Sequence, residues 1–173
     1  MLADEVKNLE AEICLEVGVG SAIVTKELAR VCRFTVGTDV ELAILLNAKA
    51  ELRKLHIDNE VNLVCCDGAQ PFRDYVFDVA VSNPPYLPSK EVVDITVDGG
   101  VDGLSVTRKI LGQVLPTIKG GGHILFLVSS FSDHESLQKE LEVKGHKYVI
   151  RSKKHIFFED IFIVELSIES TTH

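Results

Sequence analysis

The residues best suited to chemistry are those of the segment 82–86, Ser-Asn-Pro-Pro-Tyr, which directly follows the apolar run 77–81. Open α/β sheets bind ligands beyond the carboxyl ends of their strands. Neither proline can donate a backbone hydrogen bond, so the segment cannot extend a strand ladder. The Asn83 amide and nearby carbonyls are therefore predicted to face a substrate. The plainer alternative is a turn that only stops a strand, since Asn-Pro and Pro-Pro are common in turns.

A glycine turn forms the second candidate element. The run 13–17, Ile-Cys-Leu-Glu-Val, has the pattern of a buried strand and leads into Gly18-Val19-Gly20, followed by a helical run over 22–30. Glycines at such a turn let the backbone approach a ligand closely. A dinucleotide-binding fingerprint needs a third small residue three places after Gly20, where this chain has Ile23, so a nicotinamide cofactor is disfavoured.

Two further strand-like runs end in acidic residues. The run 34–37 is followed by Thr38-Asp39, and the run 61–66 is followed by Asp67-Gly68. Asp39 lies about twenty residues beyond the glycines, a position from which a carboxylate can accept hydrogen bonds from ribose hydroxyls. It could instead, or in addition, cap the helix predicted over 41–55. Three strands are thus expected to end in polar residues at one edge of a sheet.

Alternating strand and helix patterns predict a mainly parallel sheet. The predicted strands lie near 12–17, 33–38, 61–66, 76–82, 122–129, 146–152 and 156–166. The link between the last two is short, so they must be antiparallel to each other. Ser132 and Glu135 have capping-box spacing, which predicts a helix that runs to Val143. Leucines at helical spacing predict an apolar face on the helix 41–55; they are Leu42, Leu45, Leu46, Leu52 and Leu55.

In this order and at these intervals, the segment 16–20, Asp39, Asp67 and the segment 83–86 resemble the motifs of S-adenosylmethionine-dependent methyltransferases that modify planar nitrogen groups. The segment 98–104, Asp-Gly-Gly-Val-Asp-Gly-Leu, is similar to an element of the HemK-type protein-glutamine methyltransferases. The segment 154–159, Lys-His-Ile-Phe-Phe-Glu, resembles the archaeal and eukaryotic branch of that family.

The resemblance implies one domain over 1–173, with a Rossmann-like α/β fold. It would contain a seven-stranded, mainly parallel sheet with an antiparallel C-terminal hairpin and helices on both faces. The implied cofactor is S-adenosyl-L-methionine. Its implied binding residues are Glu16, Gly18, Gly20, Asp39, Val40, Asp67, Gly68 and Asn83.

For catalysis, the resemblance implies that the Asn83 side-chain oxygen and the Pro84 carbonyl accept the two N–H groups of a substrate amide. Tyr86 would pack against the flat amide, and Pro85 would complete the substrate site. No metal or covalent intermediate is needed. The implied substrate is the Gly-Gly-Gln loop of a peptide chain release factor. The alternatives are an amino-directed DNA or RNA methyltransferase and an inactive, partner-binding scaffold.

Two features depart from the family pattern. Members carry a cofactor-covering segment before the first strand, whereas here only residues 2–6 stand in its place. Either the chain begins late or the pocket is more open than usual, and weaker cofactor affinity is expected. Ala22 stands where a third glycine is usual, which is tolerated if its φ is negative.

The strand 61–66 is expected at an exposed sheet edge, where relatives bind a small zinc-binding activator subunit.

Composition narrows the class of partner. The net charge is −8, and the one basic cluster, 151–155, fits a solvated turn, so nucleic acid is disfavoured. No stretch is long and apolar enough to span a membrane and the N-terminus lacks a signal sequence, which predicts a cytoplasmic protein. The four cysteines, at 14, 32, 65 and 66, lack metal-ligand spacing and are expected to be buried free thiols.

Overall fold

Seven strands form one mixed sheet in the computed structural model, which describes residues 1–57, 60–86 and 103–170. The strands are β1 (Ala11–Val17), β2 (Cys32–Asp39), β3 (Val61–Cys65), β4 (Phe77–Ser82), β5 (Ile118–Ser129), β6 (Lys147–Ile156) and β7 (Glu159–Ser167). Their order in the sheet is β3-β2-β1-β4-β5-β7-β6. Strands β1 to β5 pair in parallel, and β7 pairs antiparallel with β5 and β6. The predicted fold class is confirmed.

Helices cover both faces of the sheet. They are α1 (Leu2–Val6), α2 (Ile23–Val31), α3 (Leu42–Lys54), α4 (Ser105–Val114) and α5 (His134–Val143), and a 3-10 turn spans Leu115–Thr117. Leu15 of β1 packs in the cluster shared with α4 and α5, whereas its neighbour Cys14 packs in the cluster shared with α1 and α2. Successive strand residues point to opposite faces, so one strand contributes to two cores. Each fully buried leucine or phenylalanine contributes about 1.5 to 3 kcal/mol.

The parallel strands bring their carboxyl ends to one edge. Val17 is in register with Thr38 on one side and with Ser82 on the other, and Asp39 is in register with Cys65. The glycine turn and the polar ends of β2, β3 and β4 therefore lie side by side, as the sequence predicts.

Three strand boundaries differ from the prediction by three or more residues. β5 begins at Ile118 and not at 122, because the run 119–122 continues the strand through Gly121, which has a φ of +82°. A register shift with β4 accompanies this stretch. The final hairpin turns at 157–158, so β6 is longer than predicted and β7 begins at Glu159.

The leucine-rich face of α3 is only partly buried. Leu45 and Leu52 are in the core, but Leu42, Leu46 and Leu55 are exposed, so the prediction that all five face the sheet is wrong.

The N-cap of α5 also differs from the predicted Ser132: Asp133 is the N-cap, and its side chain accepts a hydrogen bond from Ser136 N. Aspartate is among the strongest N-cap residues.

The expectation of buried free thiols is wrong for all four cysteines. Cys14 and Cys32 form a disulfide, with Cα atoms 6.2 Å apart. Cys65 is exposed and Cys66 half-buried, so neither is a buried thiol. The pairing depends on the proximity of β1 and the start of β2, which spacing in the sequence does not reveal.

Within the described ranges, no helix is long and apolar enough to cross a membrane.

Candidate cofactor and substrate site

A cavity of about 330 Å³ opens at the carboxyl edge of the sheet. This size suits a small-molecule ligand, since such pockets hold about 300 to 1,000 Å³. The glycine turn, the ends of β2 and β3, helix α4 and the segment after β4 all contribute to its wall. The residues lining it include Gly18, Gly20, Thr38, Asp39, Val40, Glu41, Ile44, Cys66, Asp67, Gly68, Pro85, Val106, Lys109 and Ile110.

The glycine turn is held against β2. Gly18 N and Val19 N donate hydrogen bonds to the Thr38 carbonyl, at 2.8 and 3.0 Å. Gly18 and Gly20 have φ values of +82° and +50°, and a Cβ built on either would meet nothing within 4 Å. Glycine is therefore favoured at both positions because of the backbone conformation and not because of crowding. The open space beside them is where a ligand can approach the backbone.

Ala22 also adopts the left-handed conformation, with a φ of +60°. The condition set for tolerating alanine, a negative φ, is therefore not met: Ala22 closes the turn as the N-cap of α2 and donates its N–H to the Val19 carbonyl at 2.9 Å. A left-handed residue with a Cβ costs roughly 1 to 2 kcal/mol. The turn thus adopts the left-handed conformation at position 22 with an alanine, at that energetic cost.

Asp39 connects the glycine turn to α3. One carboxylate oxygen accepts a hydrogen bond from Gly20 N at 3.4 Å, and the other accepts one from Glu41 N at 3.1 Å. Glu41, and not Asp39, is the N-cap residue of α3. Each carboxylate oxygen has a further lone pair, so Asp39 can bind the turn and still accept hydrogen bonds from ligand hydroxyls.

Glu16 lies behind the glycine turn and is buried. Thr25 Oγ1 donates a hydrogen bond to its carboxylate. Burial, with a smaller contribution from the nearby Asp39 charge, raises the pKa of Glu16 to about 8 against the lowering effect of the Thr25 hydrogen bonds. Glu16 is therefore in a position to support the turn from the inside.

Asp67 lies at the opposite wall of the cavity and pairs with α4. Lys109 Nζ donates to Asp67 Oδ2 at 2.6 Å. Next to it, Gly68 has a φ of +64°, and burial raises the pKa of the Cys66 thiol. The sequence prediction included Asp67 and Gly68 but missed the contribution of α4. The spacing of Val106, Lys109 and Ile110, at i, i+3 and i+4, was the available signal, since it places them on one helix face.

The segment 83–86 continues from the cavity wall. Ser82 Oγ donates to the Val17 carbonyl at 2.9 Å, which joins the ends of β4 and β1. Asn83 is exposed, Pro84 is buried, and Pro85 lines the cavity. Pro85 is thus the residue of this segment that lines the cavity, whereas Asn83, Pro84 and Tyr86 are not among its lining residues.

Tyr86 is half-buried and packs against the core cluster on the α1 and α2 face. Burial raises the pKa of its phenol, and the Glu159 charge raises it further. Its ring is thus held by packing on the α1 and α2 face of the sheet, one residue after the cavity-lining Pro85. Of the glycine element at 98–104, only Gly103 and Leu104 are described; Gly99 and Gly100 lie outside the described residues. Gly103 has a φ of +72°.

Comparison with known proteins agrees with this geometry. The Methyltransferase domain family matches residues 15–84. A Methanocaldococcus jannaschii chain named as a protein N5-glutamine methyltransferase is 28% identical over 169 residues, covering 92% of this chain and 82% of that one. The release factor glutamine methyltransferase of Caulobacter vibrioides is 29% identical over 160 residues, covering 84% of this chain and 54% of that one. This chain thus spans about half the length of that bacterial relative.

A solved structure shows the same architecture. The E. cuniculi Mtq2-Trm112 complex, described as responsible for methylation of the eRF1 translation termination factor, matches with a TM-score of 0.79 and 25% identity. The match covers 97% of this chain and 93% of that one. The fold and cavity define a class I methyltransferase, which uses S-adenosylmethionine as its methyl donor. Within that class, the relatives that this chain resembles over most of its length are named as protein N5-glutamine and release factor glutamine methyltransferases.

Proposed function

We propose that this protein transfers a methyl group from S-adenosylmethionine to the side-chain amide nitrogen of a glutamine, in the Gly-Gly-Gln loop of a peptide chain release factor. The observation that carries the proposal is one cavity whose wall runs from the glycine turn and Asp39 to Pro85. A methyl donor bound at the turn and an acceptor bound at the segment 83–86 would share that cavity. The names of the archaeal and bacterial relatives support the glutamine acceptor.

In this proposal, the donor lies along the cavity floor. Gly18 and Gly20 provide open backbone, Asp39 accepts from the ribose hydroxyls, and Asp67 faces the adenine amino group with Val40 and Gly68 beside the ring. Glu16 supports the turn from behind and does not touch the ligand.

The acceptor amide needs activation because its nitrogen lone pair is delocalised into the carbonyl. We assign the Asn83 side-chain oxygen and the Pro84 carbonyl as acceptors for its two N–H groups. The exposed position of Asn83 allows an incoming side chain to reach it, and the packed Tyr86 ring provides a flat surface for the amide. Holding nitrogen, methyl and sulfur in line reduces the barrier mainly through orientation.

The cofactor supplies a methyl group already activated by its sulfonium charge. In the reaction, the new N–C bond forms as the C–S bond breaks, S-adenosylhomocysteine leaves, and the nitrogen loses one proton to solvent. Asn83 and Pro84 hold the nitrogen in position throughout, so the chain contributes geometry and hydrogen-bond acceptors.

Labelled methyl transfer tests the proposal. Release factor, its Gln-to-Ala variant in the Gly-Gly-Gln loop, bulk RNA and bulk DNA would be offered with tritiated donor. We expect label only on the release factor that retains the glutamine of its Gly-Gly-Gln loop. Label on nucleic acid would favour the amino-directed alternative, although the net charge of −8 opposes binding to a phosphate backbone. Donor binding without transfer to any of them would favour the inactive scaffold.

We also propose that a small zinc-binding activator subunit binds at the β3 edge. β3 is an outer strand of the sheet, and the neighbouring helix α3 exposes Leu42 by 59% and Leu46 by 60%. Open strand edges and contiguous apolar surface favour binding of another chain. The E. cuniculi neighbour was solved as a two-protein complex.

Co-purification tests the activator. Leu46→Lys places a charge on an already exposed site, so it should weaken the partner contact without unfolding the protein, whereas Val143→Lys on α5 should leave it intact. Full activity and monodispersity of the protein alone, with no binding of its own zinc subunit, would exclude this partner.

A single domain over 1–173 and a cytoplasmic location complete the proposal. Disulfides are rare in the cytosol, so the Cys14–Cys32 pair offers a test of the location. Cys14 and Cys32 are buried in the folded protein, so the cells should be lysed directly into denaturant with an alkylating reagent, which should label all four cysteines if the compartment is reducing. Two protected cysteines would argue for a different location.

A further inference from the structure

Two aromatic side chains project from the turn between β6 and β7. Phe157 is 88% exposed and Phe158 is 91% exposed. Phe157 also has a φ of +55°, which is rare for a residue with a bulky side chain. We call Phe157 and Phe158 the aromatic tip. Their burial against a partner would recover apolar contact that the folded chain alone does not provide.

Strand register places the aromatic tip beside the segment 83–86. Ser82, the last residue of β4, is level with Phe126 of β5. Ser129, three residues further along β5, is level with Ile161 of β7. Ile161 therefore lies about three residues beyond the end of β4 along the strand direction, at the edge from which the segment 83–86 leads away, and the hairpin continues beyond it at the same edge. β4 and β7 are two strand spacings apart, about 10 Å.

The hairpin is fixed to the rest of the sheet near its end. Ser130 N donates to the Asp160 carbonyl at 2.8 Å, and Asp160 N donates to Ser130 Oγ at 3.0 Å. The Asp160 carboxylate contacts Lys153 Nζ at 2.7 Å and His155 Nδ1 at 2.9 Å. The aromatic tip is thus presented by a tied hairpin, which reduces the entropy lost when it binds a partner.

We propose that the aromatic tip is a docking surface for the protein that carries the acceptor glutamine. The inference rests on the proposed function and adds where the body of the substrate protein binds. One glutamine side chain in the cavity contributes little contact area, whereas a specific protein interface buries about 800 Å² on each partner. Exposed aromatic residues are effective anchors in such interfaces.

The position of the aromatic tip favours this occupant over the activator subunit. β6 and β3 are the two outer strands of the sheet, so the aromatic tip and the proposed activator edge lie at opposite ends. The tip instead lies on the side of the sheet from which the segment 83–86 leads: Glu159, next to Phe158, is close enough to Tyr86 for its charge to raise the pKa of that phenol. The exposed Lys154 adds a positive charge to this surface.

Steady-state kinetics on two substrates test the docking surface. The double variant Phe157→Ser, Phe158→Ser would be compared with wild type on the intact release factor and on a short peptide containing its Gly-Gly-Gln loop. Both side chains are almost fully exposed, so the variant should keep its fold and its dissociation constant for S-adenosylhomocysteine. The matched control is Val143→Ser on α5, because Val143 is also 89% exposed.

We expect the KM for the intact protein to rise about tenfold or more, as for the loss of interface anchors. We expect kcat on the intact protein, and kcat/KM on the peptide, to stay at the wild-type values. Wild-type KM for the intact protein, an equal loss on protein and peptide, or a fall in kcat alone would overturn the docking role. A wild-type dimer that the double variant dissociates, seen by light scattering, would identify the aromatic tip as a self-association surface and also overturn it.

These outcomes separate the docking role from the proposed function. If wild type, assayed together with its own zinc subunit, transfers no methyl group to the release factor or to the peptide, the proposed function fails and the docking role fails with it. If wild type is active and the double variant behaves identically, only the docking role fails.

Discussion

Replacing Asp39 with alanine should weaken cofactor binding while the protein stays folded. In the structure, the Asp39 carboxylate accepts from Gly20 N and Glu41 N and lines the cavity. The substitution removes the proposed acceptor for the ribose hydroxyls and also releases the glycine turn from α3. Both effects act on the donor end of the cavity.

The magnitude follows from the charge of the acceptor. Hydrogen bonds to charged groups contribute about 1.5 to 3 kcal/mol, and each 1.4 kcal/mol is about tenfold in affinity. The dissociation constant for S-adenosylhomocysteine should therefore rise roughly 10- to 150-fold. Asp39→Asn should lose less, since the amide oxygen can still accept one hydrogen bond.

Isothermal titration calorimetry measures this change, with circular dichroism as the check on folding. Asp133→Ala is the matched control, because it removes an aspartate that also accepts a backbone N–H, at the start of α5. It should cost about 1 kcal/mol of stability and leave the dissociation constant unchanged. A folded Asp39→Ala protein with wild-type affinity would show that Asp39 only orders the chain around α3.

Single substitutions test the roles of four further residues, Asn83, Tyr86, Lys109 and Glu16. Asn83→Ala should abolish transfer and leave the S-adenosylhomocysteine affinity unchanged; activity near wild type would remove Asn83 from the mechanism. Tyr86→Phe should retain more activity than Tyr86→Ala, because the flat ring is the proposed contact. Lys109→Met should raise the cofactor dissociation constant by at most about fivefold, since it removes a partly exposed ion pair with Asp67. Glu16→Gln should change the pH dependence of unfolding: the pKa of Glu16 rises from 4.5 to about 8 on folding, so stability decreases as pH increases between these values. The introduced amide does not titrate, so chemical denaturation of the variant should show a smaller decrease over that window, and identical slopes would contradict the assignment.

The predicted fold depended on signals that are local in the sequence. Apolar runs that end in Gly18, Asp39 and Asn83 are strands followed by polar turns, and parallel pairing then brings those ends together. Exposure on α3 was not predictable from spacing, because Leu42, Leu46 and Leu55 lie at helical intervals but no element of the described chain covers them.

Other errors came from contacts between distant residues. The Cys14–Cys32 bond depends on the pairing of β1 with β2. The φ of Ala22 depends on closure of the glycine turn, whose hydrogen bonds to Thr38 cross between strands. In the candidate site, the spacing of acidic residues indicated Asp39 and Asp67, but the Lys109 partner of Asp67 comes from a helix 42 residues further along.

The sheet order β3-β2-β1-β4-β5-β7-β6 has a thermodynamic consequence. Six strand spacings separate its outer strands, a distance of about 30 Å. A subunit at β3 and a substrate body at the β6–β7 turn would not compete for space, so a ternary assembly can form without either leaving. β3 ends beside Asp67 at the donor side of the cavity. If binding of that subunit increases the affinity for the methyl donor, linkage requires the donor to increase the affinity for the subunit by the same factor.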